Sequence, residues 1–148
     1  MASIETPARI AVIAICVDSM SYRAVSHLMA TVPGAISIAN LDHYVGAERE
    51  VGRALERAQT RICIIDYDQN AEEAIWVTER LRSEYPDGYI FGVSASSEPQ
   101  RIIAAMRAGC AEYLLKPVQN ECVLEAVARM EAKQKEKARS KVRGKAYR

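Results

Sequence analysis

No stretch of this 148-residue chain approaches the roughly 20 consecutive apolar residues that a membrane-spanning helix requires. The amino terminus also lacks the charged-then-apolar pattern of an export signal, so the chain reads as cytoplasmic. Its four cysteines, Cys16, Cys63, Cys110 and Cys122, include no Cys-x-x-Cys pair. With only His27 and His43 beside them, no zinc-site spacing can be assembled from sequence neighbours. Three of the four lie in or beside apolar runs, and the thiols read as buried and unpaired. Neither Gly-x-Gly-x-x-Gly nor Gly-x-x-x-x-Gly-Lys occurs, which removes two common phosphate-cradling loops. There is no internal repeat, and no low-complexity tract apart from the charged carboxyl-terminal stretch.

What remains is ordinary globular material: 49% apolar and 26% charged residues, long enough for one domain with a real core and too short for two of usual size. The net charge of +1 hides an asymmetry. Residues 129–148 hold nine Lys or Arg and two Glu, a net +7, which leaves −6 on residues 1–128. An acidic body with a basic tail presents two different surfaces. The tail has no interleaved aromatics apart from Tyr147, so it reads as a solvated helical extension or linker rather than a nucleic-acid-binding arm.

Apolar runs recur at about 10–16, 35–39, 61–65, 89–94 and 111–115. Between them lie segments with helical spacing: Tyr22, Val25, Leu28 and Met29; Val51, Leu55 and Ala58; Ala71, Ala74, Ile75, Thr78 and Leu81. Five such alternations predict an α/β, doubly wound parallel sheet covered by helices on both faces. Ser97-Glu98-Pro99-Gln100 has the form of a capping box opening the fourth helix. The fifth helix follows Asn120 and turns Val123, Leu124, Val127 and Met130 inward. After Met130 the stripe ends, and the remainder has helix formers with nothing to bury. The expected divisions are an extended or disordered 1–8, a domain over 9–130 and a basic extension or linker over 131–148.

Three of the strands end on reactive side chains. The run Ile62-Cys63-Ile64-Ile65 stops on Asp66, with Asp68 close behind; Phe91-Gly92-Val93 stops on Ser94; Tyr113-Leu114-Leu115 stops on Lys116 before Pro117. In open α/β sheets ligands bind at the carboxyl edge, where these residues would gather. Each has a plainer reading. Asp66 could end a strand or cap the third helix, Asp18 could cap the first, and Tyr113 could be a half-buried strand aromatic. Lys116 has little structural purpose in a turn before proline.

Asp66, then Val93-Ser94-Ala95, then Ala108-Gly109 through Tyr113 to Lys116-Pro117, in that order and at those separations, resembles the receiver domain of two-component response regulators, the CheY-like family. The resemblance covers roughly residues 9–130. It implies strand order 2-1-3-4-5, with Asp66 as acceptor of a phosphoryl group from a histidine kinase or phosphotransfer protein. Lys116 and Ser94 would neutralise phosphoryl oxygens, and Mg²⁺ would be held by Asp18, Asp66 and the Asp68 backbone carbonyl. Ser94 and Tyr113 would form the switch, moving toward the phosphate and inward. Output would pass through the fourth helix, fifth strand and fifth helix to a downstream protein, a fused output domain or a second copy of the chain. Such a domain is a phosphoacceptor, at most self-phosphorylating and self-dephosphorylating, rather than an enzyme with a substrate.

Two departures qualify the resemblance. Val17 stands where receivers usually carry the first of two adjacent acids, and Asn70 and Ala74 replace a proline and a glycine common after the acceptor. Val17 favours an alternative: a receiver-like interaction or localisation module that never turns over phosphate. The ending Arg143-Gly144-Lys145-Ala146-Tyr147-Arg148 adds a faint likeness to the amino-terminal receivers of ATPase-linked localisation proteins in tight-adherence pilus systems. A flavodoxin-like carrier would need a Ser/Thr/Gly-rich loop after the first strand, and Val17-Asp18-Ser19-Met20 offers an acid there.

Overall fold

The computed structural model describes residues 9–56 and 58–146. The amino-terminal eight residues, expected to be extended, lie outside it, as do Tyr147 and Arg148. Five strands, β1 (Ile10–Ile15), β2 (Ala35–Leu41), β3 (Thr60–Asp66), β4 (Tyr89–Ser94) and β5 (Glu112–Leu115), alternate with five helices. The helices are α1 (Ser19–Met29), α2 (Ala47–Ala54), α3 (Ala71–Glu84), α4 (Pro99–Ala108) and α5 (Asn120–Ala146). All strand pairs are parallel, in the order β2-β1-β3-β4-β5. The sheet order and the doubly wound α/β class are those the sequence implied.

The inner strands are buried on both faces, which is why they read as unbroken apolar runs. Along β1, Ile10, Val12 and Ala14 enter one core layer with Phe91, Val93, Val123, Val127 and Met130. Ala11, Ile13 and Ile15 enter the other, with Val51, Val77, Leu81 and Ala105. The register of β1 against β2 jumps from Val12↔Ser37 to Ile13↔Ala39, so Ile38 is the extra residue of a bulge on the edge strand. Gly92 on β4 is needed for close approach: a Cβ there would come within 2.6 Å of the Tyr67 ring and 3.0 Å of Cys110 Sγ.

Several local expectations need correction. The second helix ends at Ala54, so Leu55 and Ala58 sit in the turns that follow it; Leu55 is nonetheless buried. In α3, Ala71 is exposed and Val77, absent from the predicted stripe, is fully buried. The capping box at Ser97 does not form: α4 starts at Pro99, its cap position is Glu98, and no side chain caps it. Leu124 faces outward at 45% exposure, while Ala126 takes the inward place. Cys16, Cys63 and Cys110 are buried and free, but Cys122 is free and exposed.

The last helix runs on to Ala146. Its residues beyond Met130 touch the body: Glu131 pairs with Arg9 at 2.8 Å, Gln134 Nε2 donates to Thr60 Oγ1 at 2.8 Å, and Lys137 Nζ lies 5.9 Å from the Tyr89 ring centre. Polar and aliphatic parts of long side chains make these contacts without an apolar stripe. Among the described residues no helix is long and apolar enough to cross a membrane.

Candidate functional site

Parallel strands bring their carboxyl ends to one edge, and that alone gathers Asp66, Ser94 and Lys116. Asp66 closes β3 with its side chain 1% exposed. Lys116 follows β5, held beside β4 by its N–H donating to the Ser94 carbonyl at 2.9 Å, and its peptide bond to Pro117 is cis. Its ammonium stands 2.8 Å from Asp66 Oδ2, 2.9 Å from Asp68 Oδ2 and 3.0 Å from Asp18 Oδ1. One cation thus faces three carboxylates. Partial burial alone would lower the Lys116 pKa, but the carboxylates of Asp66, Asp68 and Asp18 outweigh it and raise the pKa.

Asp18 takes the capping role and also faces the Lys116 ammonium. Its Oδ2 accepts the Ser21 N–H at 3.0 Å, capping α1, while Oδ1 turns to Lys116. Burial would raise its pKa, yet the Ser21 N–H and hydroxyl and the Lys116 ammonium hold it down at about 2. Asp18 Oδ1 is buried, with the Lys116 ammonium as its ion-pair neighbour at 3.0 Å. The chain reaches Asp18 through Cys16, which sits in the left-handed region with φ 57°. That conformation costs about 1 kcal/mol or more for a residue with a Cβ, and such strain gathers at functional sites. Val17 is buried in the core at 4% exposure, and Asn40 grips its peptide, accepting from the Val17 N–H at 3.1 Å and donating to the Val17 carbonyl at 2.7 Å.

Asp66 does not cap the third helix; Asn70 does, accepting the Glu73 N–H at 3.1 Å. Asp66 Oδ1 accepts the Asp68 N–H at 2.8 Å, and its carbonyl accepts the buried Tyr44 hydroxyl. Asp68 contributes more than a backbone carbonyl. Its Oδ1 accepts the Ser94 hydroxyl at 2.6 Å, and Oδ2 accepts the Ala95 N–H at 2.9 Å while facing Lys116. Burial would raise the Asp68 pKa; the Ser94 hydroxyl, Lys116 and the Ala95 N–H together lower it.

From Ser94 the network continues outward. Its Oγ accepts the Ser96 N–H at 3.0 Å, and the Ser96 carbonyl accepts the Tyr113 hydroxyl at 3.0 Å. The Tyr113 ring stacks on Tyr67 with centres 6.4 Å apart. Tyr44, Asn40, Gln69 (whose Nε2 donates to the Cys16 carbonyl at 2.8 Å) and the Ala95 N–H were not singled out from sequence; the Asp68 carboxylate was visible there as a further acid near Asp66, but its partners Ser94, Ala95 and Lys116 were not. A polar residue just past a strand end was the only signal available for Asp68 and Gln69, and it does not say where the side chain turns.

Magnesium takes hard oxygen donors. Among the described residues no three acidic, His or Cys side chains stand as a metal-holding group. The set implied here is smaller, two carboxylates and the Asp68 carbonyl, hard oxygens of the kind Mg²⁺ takes, and both carboxylates already face the Lys116 ammonium.

No family model matches the sequence, and no curated protein matches it. Solved structures do. A pilus assembly-related protein from Burkholderia pseudomallei superposes with TM-score 0.71 at 17% identity, covering 88% of this chain and 96% of that one. A response regulator from Thermotoga maritima gives 0.67 at 25% identity, over 85% and 98% of the two chains. An atypical orphan response regulator, described by a phosphorylation-independent regulatory mechanism, gives 0.60 at 16%, over 82% and 92%. The fold is therefore that of CheY-like receiver domains, shared by response regulators and by a pilus-assembly-related protein.

Proposed function

We propose that this chain, built on the receiver fold, is a signal-transduction module that accepts a phosphoryl group on Asp66 and passes its state to a protein partner through α4, β5 and α5. The observation that carries this reading is the setting of Asp66, a buried carboxylate at the sheet's carboxyl edge with an ammonium 2.8 Å away. In the transfer, an Asp66 oxygen bonds to phosphorus as the bond from phosphorus to a donor histidine nitrogen breaks and the imidazole leaves. Lys116 offsets the charge of the incoming oxygens, and the Ser94 hydroxyl and Ala95 N–H are donors within reach. Mg²⁺, held by Asp18, Asp66 and the Asp68 carbonyl, would supply further positive charge. The donor is a histidine kinase or phosphotransfer protein, and the chain itself is the acceptor, not an enzyme. Ser94 and Tyr113 carry the switch. Ile103 and Met106 on α4, Leu115 on β5 and Leu124 on α5 are 45–48% exposed, and apolar exposure of that kind suits a partner surface.

A second reading keeps the protein partner and drops the phosphate. Val17, buried and gripped by Asn40, favours it, because one carboxylate of the usual pair is absent and its place is committed to the core. The chain would then be an interaction or localisation module of a larger protein, such as a pilus-assembly ATPase.

Titration with beryllium fluoride and Mg²⁺, followed by amide NMR, separates the two. The first reading requires shifts at Ser94, Ala95 and Lys116 in wild type and none in Asp66→Asn. A silent wild type leaves the second.

A further inference from the structure

The pocket offers a small set of donors for an anion beside Asp66: the Ser94 hydroxyl, the Ala95 N–H and the Lys116 ammonium. All three are already engaged by Asp68, through Oδ1 at 2.6 Å from Ser94 Oγ and through Oδ2 at 2.9 Å from both the Ala95 nitrogen and Lys116 Nζ. The Asp68 N–H, bonded to Asp66 Oδ1 at 2.8 Å, fixes how this second carboxylate stands relative to the first. Charge-assisted bonds of this kind are short and strong.

We infer that the Asp68 carboxylate is a resident anion, occupying the donors that a phosphoryl group on Asp66 would use and fastening the loop after β4 and Tyr113 in place without any external ligand. The competition with a phosphoryl group rests on the reading of Asp66 as acceptor; the fastening does not. The fastening runs through an unbroken line of bonds: Asp68 to Ser94 and Ala95, Ser94 Oγ to the Ser96 N–H at 3.0 Å, and the Ser96 carbonyl to the Tyr113 hydroxyl at 3.0 Å. Ser94 at 1% exposure has no solvent to turn toward, so its rotamer follows whichever acceptor the pocket holds. With Asp68 as that acceptor, the loop leading to α4 and the Tyr113 side chain are set in the unmodified protein. An arriving anion must displace Asp68 from three donors while bringing more negative charge beside two carboxylates.

Asp68 is thus a positioning residue, and a test must read position as well as binding. Asp68→Ala removes the anion; Asp68→Asn keeps shape and an acceptor without the charge and guards against misfolding in the first. Amide NMR, with ¹³C-labelled tyrosine side chains, is recorded for wild type and both variants before and after titration with beryllium fluoride and Mg²⁺. In the free proteins, Ala95 and Ser96 amides and the Tyr113 ring should move from their wild-type positions, more in Asp68→Ala than in Asp68→Asn. Beryllium fluoride should then bind Asp68→Ala about tenfold or more tightly than wild type, a coupling of ordinary size, and draw those signals back toward their wild-type positions. If the signals move but beryllium fluoride binds none of the three proteins, the fastening stands and the phosphoacceptor reading fails. If Ala95, Ser96 and Tyr113 stay put in both variants, or Asp68→Ala binds beryllium fluoride more weakly than wild type, the inference is overturned.

Discussion

Val17 and Asp18 are adjacent, yet the left-handed turn at Cys16 is followed by one buried residue and one that reaches the pocket. Restoring an acid by Val17→Asp would therefore put a carboxylate into the core layer rather than simply beside the cation. Burying such a group without a partner costs on the order of 2–4 kcal/mol. A urea denaturation midpoint well below wild type is the expected outcome, and an unchanged midpoint would mean that the new carboxylate finds the pocket. Asp18 sets a pH dependence. Its pKa falls from 3.8 to about 2 on folding, so its contribution is complete above 3.8 and is lost as pH falls toward 2. Wild-type stability should drop more steeply over that window than that of Asp18→Asn, by a modest amount because the side chain is 40% exposed. That Val17 departs from the receiver pattern was legible in the sequence. That it is buried was not, because the direction of a side chain after a strand depends on a backbone dihedral that no residue type there announces.

At the scale of elements, the strands were legible because apolar runs on inner strands are long and bounded by breakers. Helix ends were harder. Ser97-x-x-Gln100 has the residues of a capping box, but Pro99 fixes the first turn one residue late for Ser97 to serve as cap, and Ser96 instead accepts the Glu98 N–H at 3.3 Å. Leu124 is apolar yet faces outward; the buried stripe of Val123, Ala126, Val127 and Met130, at intervals of three, one and three residues, gives the inward place to the smaller Ala126. The extension beyond Met130 has no apolar stripe to bury, and apolar periodicity carries no signal for polar contacts. Gln134 and Lys137 reach Thr60 and Tyr89 by polar and cation–π contacts. Removing residues 132–148 should therefore lower stability by about 1–2 kcal/mol, the sum of one partly buried hydrogen bond and one cation–π contact. A thermal midpoint identical to wild type would mean these contacts are not populated in solution, and a loss several times larger would mean the extension docks more extensively.

For the whole molecule, parallel topology explains why a site could be anticipated from three short motifs far apart in sequence. Asp66, Ser94 and Lys116 had to meet once the order β2-β1-β3-β4-β5 was adopted, since each ends or directly follows a strand. The line of bonds from that edge through Ser96 to Tyr113 joins the pocket to β5 beside α4, where the exposed apolar side chains are found. The basic residues concentrate on the far part of α5. The proposed function turns on Asp66 as acceptor. The most direct test is incubation of the full chain with acetyl phosphate and Mg²⁺, followed by intact mass measurement on wild type and Asp66→Asn. One hydroxylamine-labile phosphoryl group is expected on wild type and none on Asp66→Asn; an unmodified wild type, or equal modification of both, would rule out Asp66 as the acceptor.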